Sequence, residues 1–288
     1  MLNAPTIVLT MCACVAAMAV PGTTETPPQS TKVKVGYCTA LKNLDAAKAA
    51  GFDYVELGTT EIASLSDADY DAAAAHIKQL GIATPAANLF LPATMKVTGP
   101  VTDPAAQMAH VRKAFERLEK LGVEVVVFGS GGARRVPDGF AKEEAFTQLV
   151  DFGRRAAREA KAHGITIAIE PLRKQESNII NTAAEGLDLV NAVGDPNFQL
   201  MIDFYHLASE QEDPAIVLRA KDHIRHLHVA NPQGRVFPQK WEEFDYAPFF
   251  ANLRAIGYDK RISVEGSTTD LAAQGPVAVS LLHRAFER

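Results

Sequence analysis

Four short apolar runs in the second half of the chain each end at a residue that can bind a metal ion. The runs are residues 165–169, 199–202, 224–227 and 261–264, and the residues that follow them are Glu170, Asp203, His228 and Glu265. Each interval between runs is long enough for the crossover helix that joins two parallel strands. If the runs are parallel strands, the four end residues meet at one edge of the sheet. Three carboxylates at that edge would repel one another, and a divalent cation would hold them together.

Short apolar runs alternate with amphipathic stretches from Lys32 onward, which is the pattern of βα units. Four further strands are predicted at residues 33–38, 54–57, 82–88 and 123–128. Eight helices are predicted at residues 41–50, 66–80, 104–121, 143–163, 182–193, 214–222, 246–256 and 276–286. This succession predicts an α/β protein with a single closed (β/α)8 TIM barrel at residues 32–288. The main alternative is a doubly wound open sheet.

A glycine-rich segment, residues 129–132, follows the predicted fourth strand. Such segments can cradle a phosphate group, but the other residues of a phosphate-binding motif are missing here. The sequence therefore favours a flexible loop between strand and helix.

Composition and charge are those of an ordinary globular enzyme and disfavour both a nucleic-acid-binding protein and a disulfide-rich one. The 288 residues are 47% hydrophobic and 22% charged, as in an ordinary globular enzyme. The net charge of −5 offers no basic surface, so we expect no nucleic-acid partner. The three cysteines, Cys12, Cys14 and Cys38, do not form a disulfide framework.

The N-terminal residues resemble an export signal. Residues 6–20 form an uncharged apolar run, and Ala17 and Ala19 give the small-x-small pattern of a cleavage site, although no Lys or Arg precedes the run. We expect a signal peptide at residues 1–20, a Pro- and Thr-rich linker at residues 21–31, and a periplasmic or secreted protein, with the cytoplasm as the alternative. The run is shorter than the roughly 18 residues of a membrane span, so none is expected.

Three carboxylates and one imidazole suit a six-coordinate ion better than a closed zinc site, which favours one Mn²⁺, Mg²⁺ or Co²⁺. His226 competes with His228 as a ligand because residues two apart on a strand point to the same face. His228 lies nearer the strand end and is the predicted ligand. His226 is expected one layer below, where it can hydrogen-bond the site.

The order of these residues and the segments around them resemble the xylose isomerase-like TIM-barrel superfamily. The segments are Glu-Pro-Leu at 170–172, Asp-Phe-Tyr-His at 203–206 and His-Leu-His at 226–228. Within the superfamily, residues 32–288 are most similar to the sugar phosphate isomerase and epimerase group, which includes ketose 3-epimerases and hydroxypyruvate isomerases. The resemblance implies that Glu176, His206 and Arg235 bind substrate, although Arg235 lies one position later than its counterpart in those epimerases.

The resemblance also implies a mechanism, in which a proton is transferred at a carbon next to a carbonyl of a small carbohydrate. The metal would stabilise the enediolate, while Glu170 and Glu265 would remove and return the proton on opposite faces. Return to the same carbon gives epimerisation, and return to the neighbouring carbon interconverts aldose and ketose.

Other functions remain open from the sequence alone. A lyase or dehydratase acting on a keto-sugar, keto-inositol or 3-keto-glycoside would use the same enediolate. An apurinic endonuclease is disfavoured, because Glu56 and Asn88 stand in the regions where those enzymes have metal-binding histidines. A non-catalytic sugar-binding barrel would not explain why all four ligands are present. A homo-oligomer is compatible with the sequence.

Overall fold

The computed structural model describes residues 1–2 and 33–287. The expected signal peptide and linker therefore lie outside the described residues, apart from Met1 and Leu2. Within the described part, no helix has the length and apolar character that crossing a membrane requires.

Eight parallel strands form one closed barrel in chain order, with β1 paired to both β2 and β8. The strands are β1 (Lys34–Thr39), β2 (Tyr54–Gly58), β3 (Ala83–Asn88), β4 (Val125–Phe128), β5 (Thr166–Ile169), β6 (Phe198–Asp203), β7 (Ile224–Val229) and β8 (Arg261–Val264). The predicted fold class, a single TIM barrel, is confirmed, and the open-sheet alternative is wrong. All four organising runs are strands, so their carboxyl ends face one rim.

Helices connect the strands and pack around the barrel. They are α1 (Leu44–Ala49), α2 (Thr59–Ser64), α3 (Asp67–Leu80), α4 (Pro104–Lys120), α5 (Gly131–Arg134), α6 (Lys142–Ala162), α7 (Ala183–Val193), α8 (Phe204–Ser209), α9 (Ile216–Ala220), α10 (Ala247–Ala255) and α11 (Leu271–Glu287). The predicted number of eight was too low for the described residues. The three additional helices, α2, α5 and α8, are short and begin within three residues of the ends of β2, β4 and β6.

Two predicted helix boundaries were wrong. The helix predicted at 214–222 is only the short α9, because turns occupy both of its ends. The last helix begins at Leu271, not at Pro276, because the Asp270 carboxylate accepts a hydrogen bond from Ala273 N and caps the helix there. Pro276 lies inside this helix, although proline is more often found in the first turn.

The apolar residues form two layers that follow the alternation of side chains along each strand. Val126 and Phe128 of β4 pack outward against the helices, in the large cluster between sheet and helices. Val125 and Val127 of the same strand join a smaller cluster, which we place inside the barrel and which also includes Ala168 and Met201. The rim above these interior side chains is therefore left for polar residues.

Gly36 on β1 gives the ring of Tyr54 room inside the barrel. A Cβ at Gly36 would lie 2.2 Å from two atoms of that ring. The Tyr54 hydroxyl is 2.8 Å from Ser263 Oγ, and Ser263 Oγ donates to Glu56 Oε2 at 2.6 Å. These buried polar side chains lie directly below the predicted site.

We expect Gly36→Ala to lower the free energy of unfolding by about 1–3 kcal/mol, because the new methyl group overlaps the Tyr54 ring. Urea denaturation measures this change. Gly58→Ala is the matched control, since its Cβ would meet no atom closer than 3.4 Å. Equal stabilities of the two variants would show that the Tyr54 ring moves freely and does not depend on Gly36.

Candidate metal centre and surrounding residues

The four predicted ligands meet at the carboxyl ends of β5 to β8. Glu170 and Glu265 each follow directly after a strand, and Asp203 and His228 lie at or near a strand end. One ligand atom from each of the four side chains lies within 4.8 Å of the other three. The Nδ1 atom of His228 is 3.5 Å from Glu170 Oε1 and 3.3 Å from Glu265 Oε2. The barrel therefore brings together the residues that the sequence places far apart.

Three atoms of this cluster are buried and have no hydrogen-bond partner among the described residues: Glu170 Oε1, Asp203 Oδ2 and His228 Nδ1. Buried polar atoms normally have partners, because leaving them unpaired costs free energy. Two carboxylate oxygens and one imidazole nitrogen with free lone pairs form a suitable donor set for a divalent ion such as Mn²⁺ or Mg²⁺. The residues present fit the predicted metal.

The electrostatics of the cluster also favour a cation. Burial, together with Glu265 and Glu170, raises the pKa of Asp203 to about 8. Burial and Glu265 likewise raise the pKa of Glu170. Burial acts in the same direction on Glu265, but His228 and Arg235 outweigh it and lower the pKa of that carboxyl to about 2. The protein's own charges therefore cannot keep all three carboxyl groups ionised at neutral pH.

Glu56 supports His228 from below, a role that the sequence did not reveal. Its Oε1 atom is 3.0 Å from His228 Nε2, and its Oε2 atom is 2.7 Å from His226 Nε2. A carboxylate acceptor at Nε2 places a proton there and leaves His228 Nδ1 free to bind a metal. His226 thus contributes to the site through Glu56. The only signal in the sequence was a carboxylate within the short apolar strand β2.

The three predicted substrate-binding residues surround the same cluster. Arg235 donates to Glu265 Oε2 at 2.6 Å and to Glu176 Oε1 at 3.3 Å. The Nε2 atom of His206 is 3.6 Å from Asp203 Oδ2 and 4.0 Å from Glu176 Oε2. All seven residues of the predicted site therefore lie close together, and their roles stay a prediction.

His206 is held in one tautomer. Its Nδ1 atom accepts a hydrogen bond from the backbone N–H of Arg173 at 3.2 Å. Burial and Arg235 lower the pKa of His206 to about 3, so the ring is neutral. A neutral ring that accepts at Nδ1 carries its proton on Nε2, and that atom has no partner among the described residues. It can donate a hydrogen bond to a substrate oxygen.

Tyr205 is a second residue that the sequence analysis missed. It is buried, and the guanidinium carbons of Arg235 and Arg173 lie 4.7 Å and 4.9 Å from the centre of its ring. Cations are attracted to the face of an aromatic ring. The ring therefore helps to position Arg235. Its place directly before His206 in the sequence did not indicate this contact.

The loop that carries Arg235 is joined to the loop after β8. Asn231 N donates to Val236 O at 2.8 Å, and Ser267 N donates to Arg235 O at 2.8 Å. Arg235 itself has a positive φ of 51°. The hydrogen bonds link Arg235 to the segment that contains Glu265.

The glycine-rich segment after β4 packs against Glu170. A Cβ at Gly129 would lie 2.2 Å from Glu170 Oε2, so only glycine leaves room for that carboxylate. The last two residues of the segment begin α5, whose Arg134 is buried and donates to the backbone carbonyl of Glu170 at 2.5 Å. The expectation of a flexible loop missed this role, in which the loop and Arg134 fix the end of β5.

A family model described as xylose isomerase-like TIM barrel matches residues 44–281. The chain belongs to the xylose isomerase-like TIM-barrel family. The resemblance seen in the sequence is therefore confirmed, and the relatives of this family member include ketose 3-epimerases.

Two relatives and one solved structure illustrate the similarity. L-ribulose 3-epimerase of Methylomonas sp. is 31% identical over 241 residues, which cover 81% of this chain and 80% of that protein. D-psicose 3-epimerase of Agrobacterium fabrum is 27% identical over 226 residues, 75% of either chain. The crystal structure of D-allulose 3-epimerase from Methylomonas sp. in complex with D-allulose superposes with a TM-score of 0.77. It has 24% sequence identity and covers 88% of this chain and 98% of that chain.

We expect Mn²⁺ to raise the melting temperature Tm more strongly as the pH increases from about 5.5 to about 8. The pKa of Asp203 is raised from 3.8 to about 8 in the folded protein. The stability that its bound proton contributes is therefore complete below pH 3.8 and is lost as the pH rises through about 8. A cation replaces that proton. Thermal melting with Mn²⁺ and with chelator at several pH values measures the difference.

Asp203→Asn is the control for this experiment, since an amide has no proton to release in this range. A Tm increase that does not depend on pH, or that is equally large in Asp203→Asn, would contradict the assignment of Asp203 as a ligand.

We expect Glu56→Gln to weaken Mn²⁺ binding about 10- to 100-fold, as for other residues that orient a metal-binding histidine. The amide cannot accept from both histidines and Ser263 at once. Titration calorimetry measures the dissociation constant, and Glu116→Gln on the exposed face of α4 is the matched control. A folded Glu56→Gln variant with unchanged affinity would show that His228 needs no support.

Proposed function

We propose that this protein is a sugar epimerase or isomerase that depends on one divalent metal ion and transfers a proton at a carbon next to a carbonyl. The observation that carries the proposal is the buried cluster of Glu170, Asp203, His228 and Glu265, with three unpaired ligand atoms. The similarity to ketose 3-epimerases supports a ketose as the class of substrate.

Glu170, Asp203, His228 and Glu265 would hold the metal. When bound, the ion supplies a positive charge that stabilises the negative charge developing on the carbonyl oxygen of the substrate. Mn²⁺, Mg²⁺ and Co²⁺ remain the proposed ions because of the oxygen-rich donor set.

Glu170 and Glu265 are the proposed acid and base. They come from strands β5 and β8 and both approach His228 Nδ1, within 3.5 Å and 3.3 Å. Their environments separate their proton affinities, because the pKa of Glu170 is raised and that of Glu265 is lowered to about 2. One of these carboxylates would take the proton from one face of the substrate carbon, and the other would return a proton to the opposite face.

The surrounding residues would hold the substrate in place. The Nε2–H group of neutral His206 can donate to a hydroxyl oxygen, and the Glu176 carboxylate can accept from a hydroxyl group. Arg235 contacts both Glu176 and Glu265 and so links substrate binding to one of the two proposed proton-transfer residues. Export of the enzyme through residues 1–20 is a further proposal from the sequence.

We expect the protein with Mn²⁺ to exchange one carbon-bound hydrogen of D-psicose or L-ribulose with solvent, and to form an epimer or isomer of unchanged carbon skeleton. Mass spectrometry and NMR of reactions in D₂O detect the label. Glu170→Gln and Glu265→Gln should each lower kcat by about 10²- to 10⁴-fold, as expected for a general acid or base. Glu116→Gln serves as the control.

The products also test the alternative reaction. Loss of water with a new ultraviolet absorbance would indicate a lyase instead of an isomerase. Full turnover by Glu265→Gln, or turnover that resists complete removal of metal, would refute the proposed mechanism.

A further inference from the structure

Two cavities meet at the proposed metal centre. The catalytic chamber, of about 370 Å³, contacts Glu170, Glu176, Arg235 and Glu265. The side cavity, of about 740 Å³, contacts Arg235 and Glu265 but neither Glu170 nor Glu176. Its other walls come from the carboxyl ends of β1, β2 and β3 and from the segments after β1, β2 and β8, including Cys38, Thr39, Ala40, Glu61, Asn88 and Ser267. The reacting carbon must lie in the catalytic chamber, because only that space contacts both proposed proton-transfer residues.

The catalytic chamber alone can hold one sugar. A hexose has about a dozen non-hydrogen atoms of roughly 15 Å³ each and fills about 180 Å³, whereas ligand pockets typically span about 300–1,000 Å³. A free ketose bound between Glu170 and Glu265 would therefore leave the larger side cavity to solvent. A substrate with a second group would fill both spaces.

The charged side chains around the side cavity favour a neutral group of the substrate over a phosphate group. Among the described residues that line it, Arg235 is the one cation, and Glu176 and Glu265 already pair with its guanidinium. Glu61 adds a carboxylate, of which one oxygen accepts from Leu41 N at 3.3 Å. A phosphate group would meet this negative charge without a free cation. Hydroxyl groups, in contrast, can pair with side chains such as Asn88 and Ser267.

Leu89 stands at the boundary between the two cavities and contacts both. Its backbone has a positive φ of 50°, which is unusual for leucine, and 55% of the residue is exposed. Strained residues of this kind concentrate at binding and active sites. An apolar side chain here can pack against the C–H face of a sugar ring that passes from one cavity to the other.

We propose that the substrate is a neutral keto-glycoside, with its oxidised ring in the catalytic chamber and the glycosidically linked group in the side cavity. This inference rests on the proposed function, proton transfer next to a sugar carbonyl, and names a keto-glycoside instead of a free ketose as its substrate. The anomeric carbon of a glycoside is an acetal, so the carbonyl lies at another ring carbon. The C–H bond next to that carbonyl breaks, its proton passes to the carboxylate, and a proton returns to carbon. No oxidant and no leaving group are required.

The test compares four substrates with the Mn²⁺-loaded full chain: a 3-keto-disaccharide, methyl 3-keto-glucoside, D-psicose and the phosphate ester of D-psicose. Initial rates of solvent-hydrogen exchange and product formation give kcat/KM. We expect kcat/KM for the 3-keto-disaccharide to exceed that for D-psicose by about tenfold or more, as contacts to an added group can provide.

Each other outcome has a distinct meaning. If D-psicose or its phosphate ester is the better substrate, the keto-glycoside inference is overturned and the proposed function stands. If none of the four substrates exchanges or reacts, the proposed function fails, and the inference fails with it.

Variants of the side cavity provide an independent test. Ala40→Leu should reduce the ratio of kcat/KM for the 3-keto-disaccharide to that for methyl 3-keto-glucoside roughly tenfold, by filling space that the second group occupies. Ala49→Leu, on the exposed face of α1, is the matched control. Ser267→Leu, at an exposed position on the opposite wall, repeats the test if Ala40→Leu does not fold. An unchanged ratio in a folded variant overturns the proposal.

Discussion

Repulsion among the carboxyl groups of Glu170, Asp203 and Glu265 is the constraint around which the rim of this barrel is built. The closed sheet places the three groups around His228, where water cannot screen them fully. Two features counter the repulsion within the protein: Arg235 pairs with Glu265, and Asp203 gains affinity for a proton. A divalent ion would replace the proton and would add to the positive charge that Arg235 already supplies.

Sequence patterns identified the strands well because buried parallel strands are short, continuous apolar runs with abrupt ends. The longer helices were also predictable: Ser66 accepts a hydrogen bond from Asp69 N at the start of α3, and Gly81 closes that helix with a φ of 62°. The helices α2, α5 and α8 were not predicted, since four to six residues are too few to show helical periodicity.

The same distinction applies to the candidate site, where the sequence predicted some residues and missed others. The four proposed ligands were predictable because each stands at the end of a strand, and parallel strands of a barrel end at one rim. The roles of Glu56, Tyr205 and Arg134 were not, because each depends on a partner that only the folded chain brings near. Glu56 supports His228 across the barrel, and Gly129 matters only because the Glu170 carboxylate lies against it. Such relations leave no local pattern in the sequence.

The hydrogen bonds between the loops after β7 and β8 limit how this scaffold can diversify. Because Ser267 N binds Arg235 O and Asn231 N binds Val236 O, a change of length in either loop would displace Arg235 from Tyr205 and Glu265 together. Natural variation that preserves turnover should therefore collect on the opposite wall, in the segments after β1, β2 and β3. Related proteins could acquire new substrates through changes in that wall, while the residues proposed to transfer the proton stay in place.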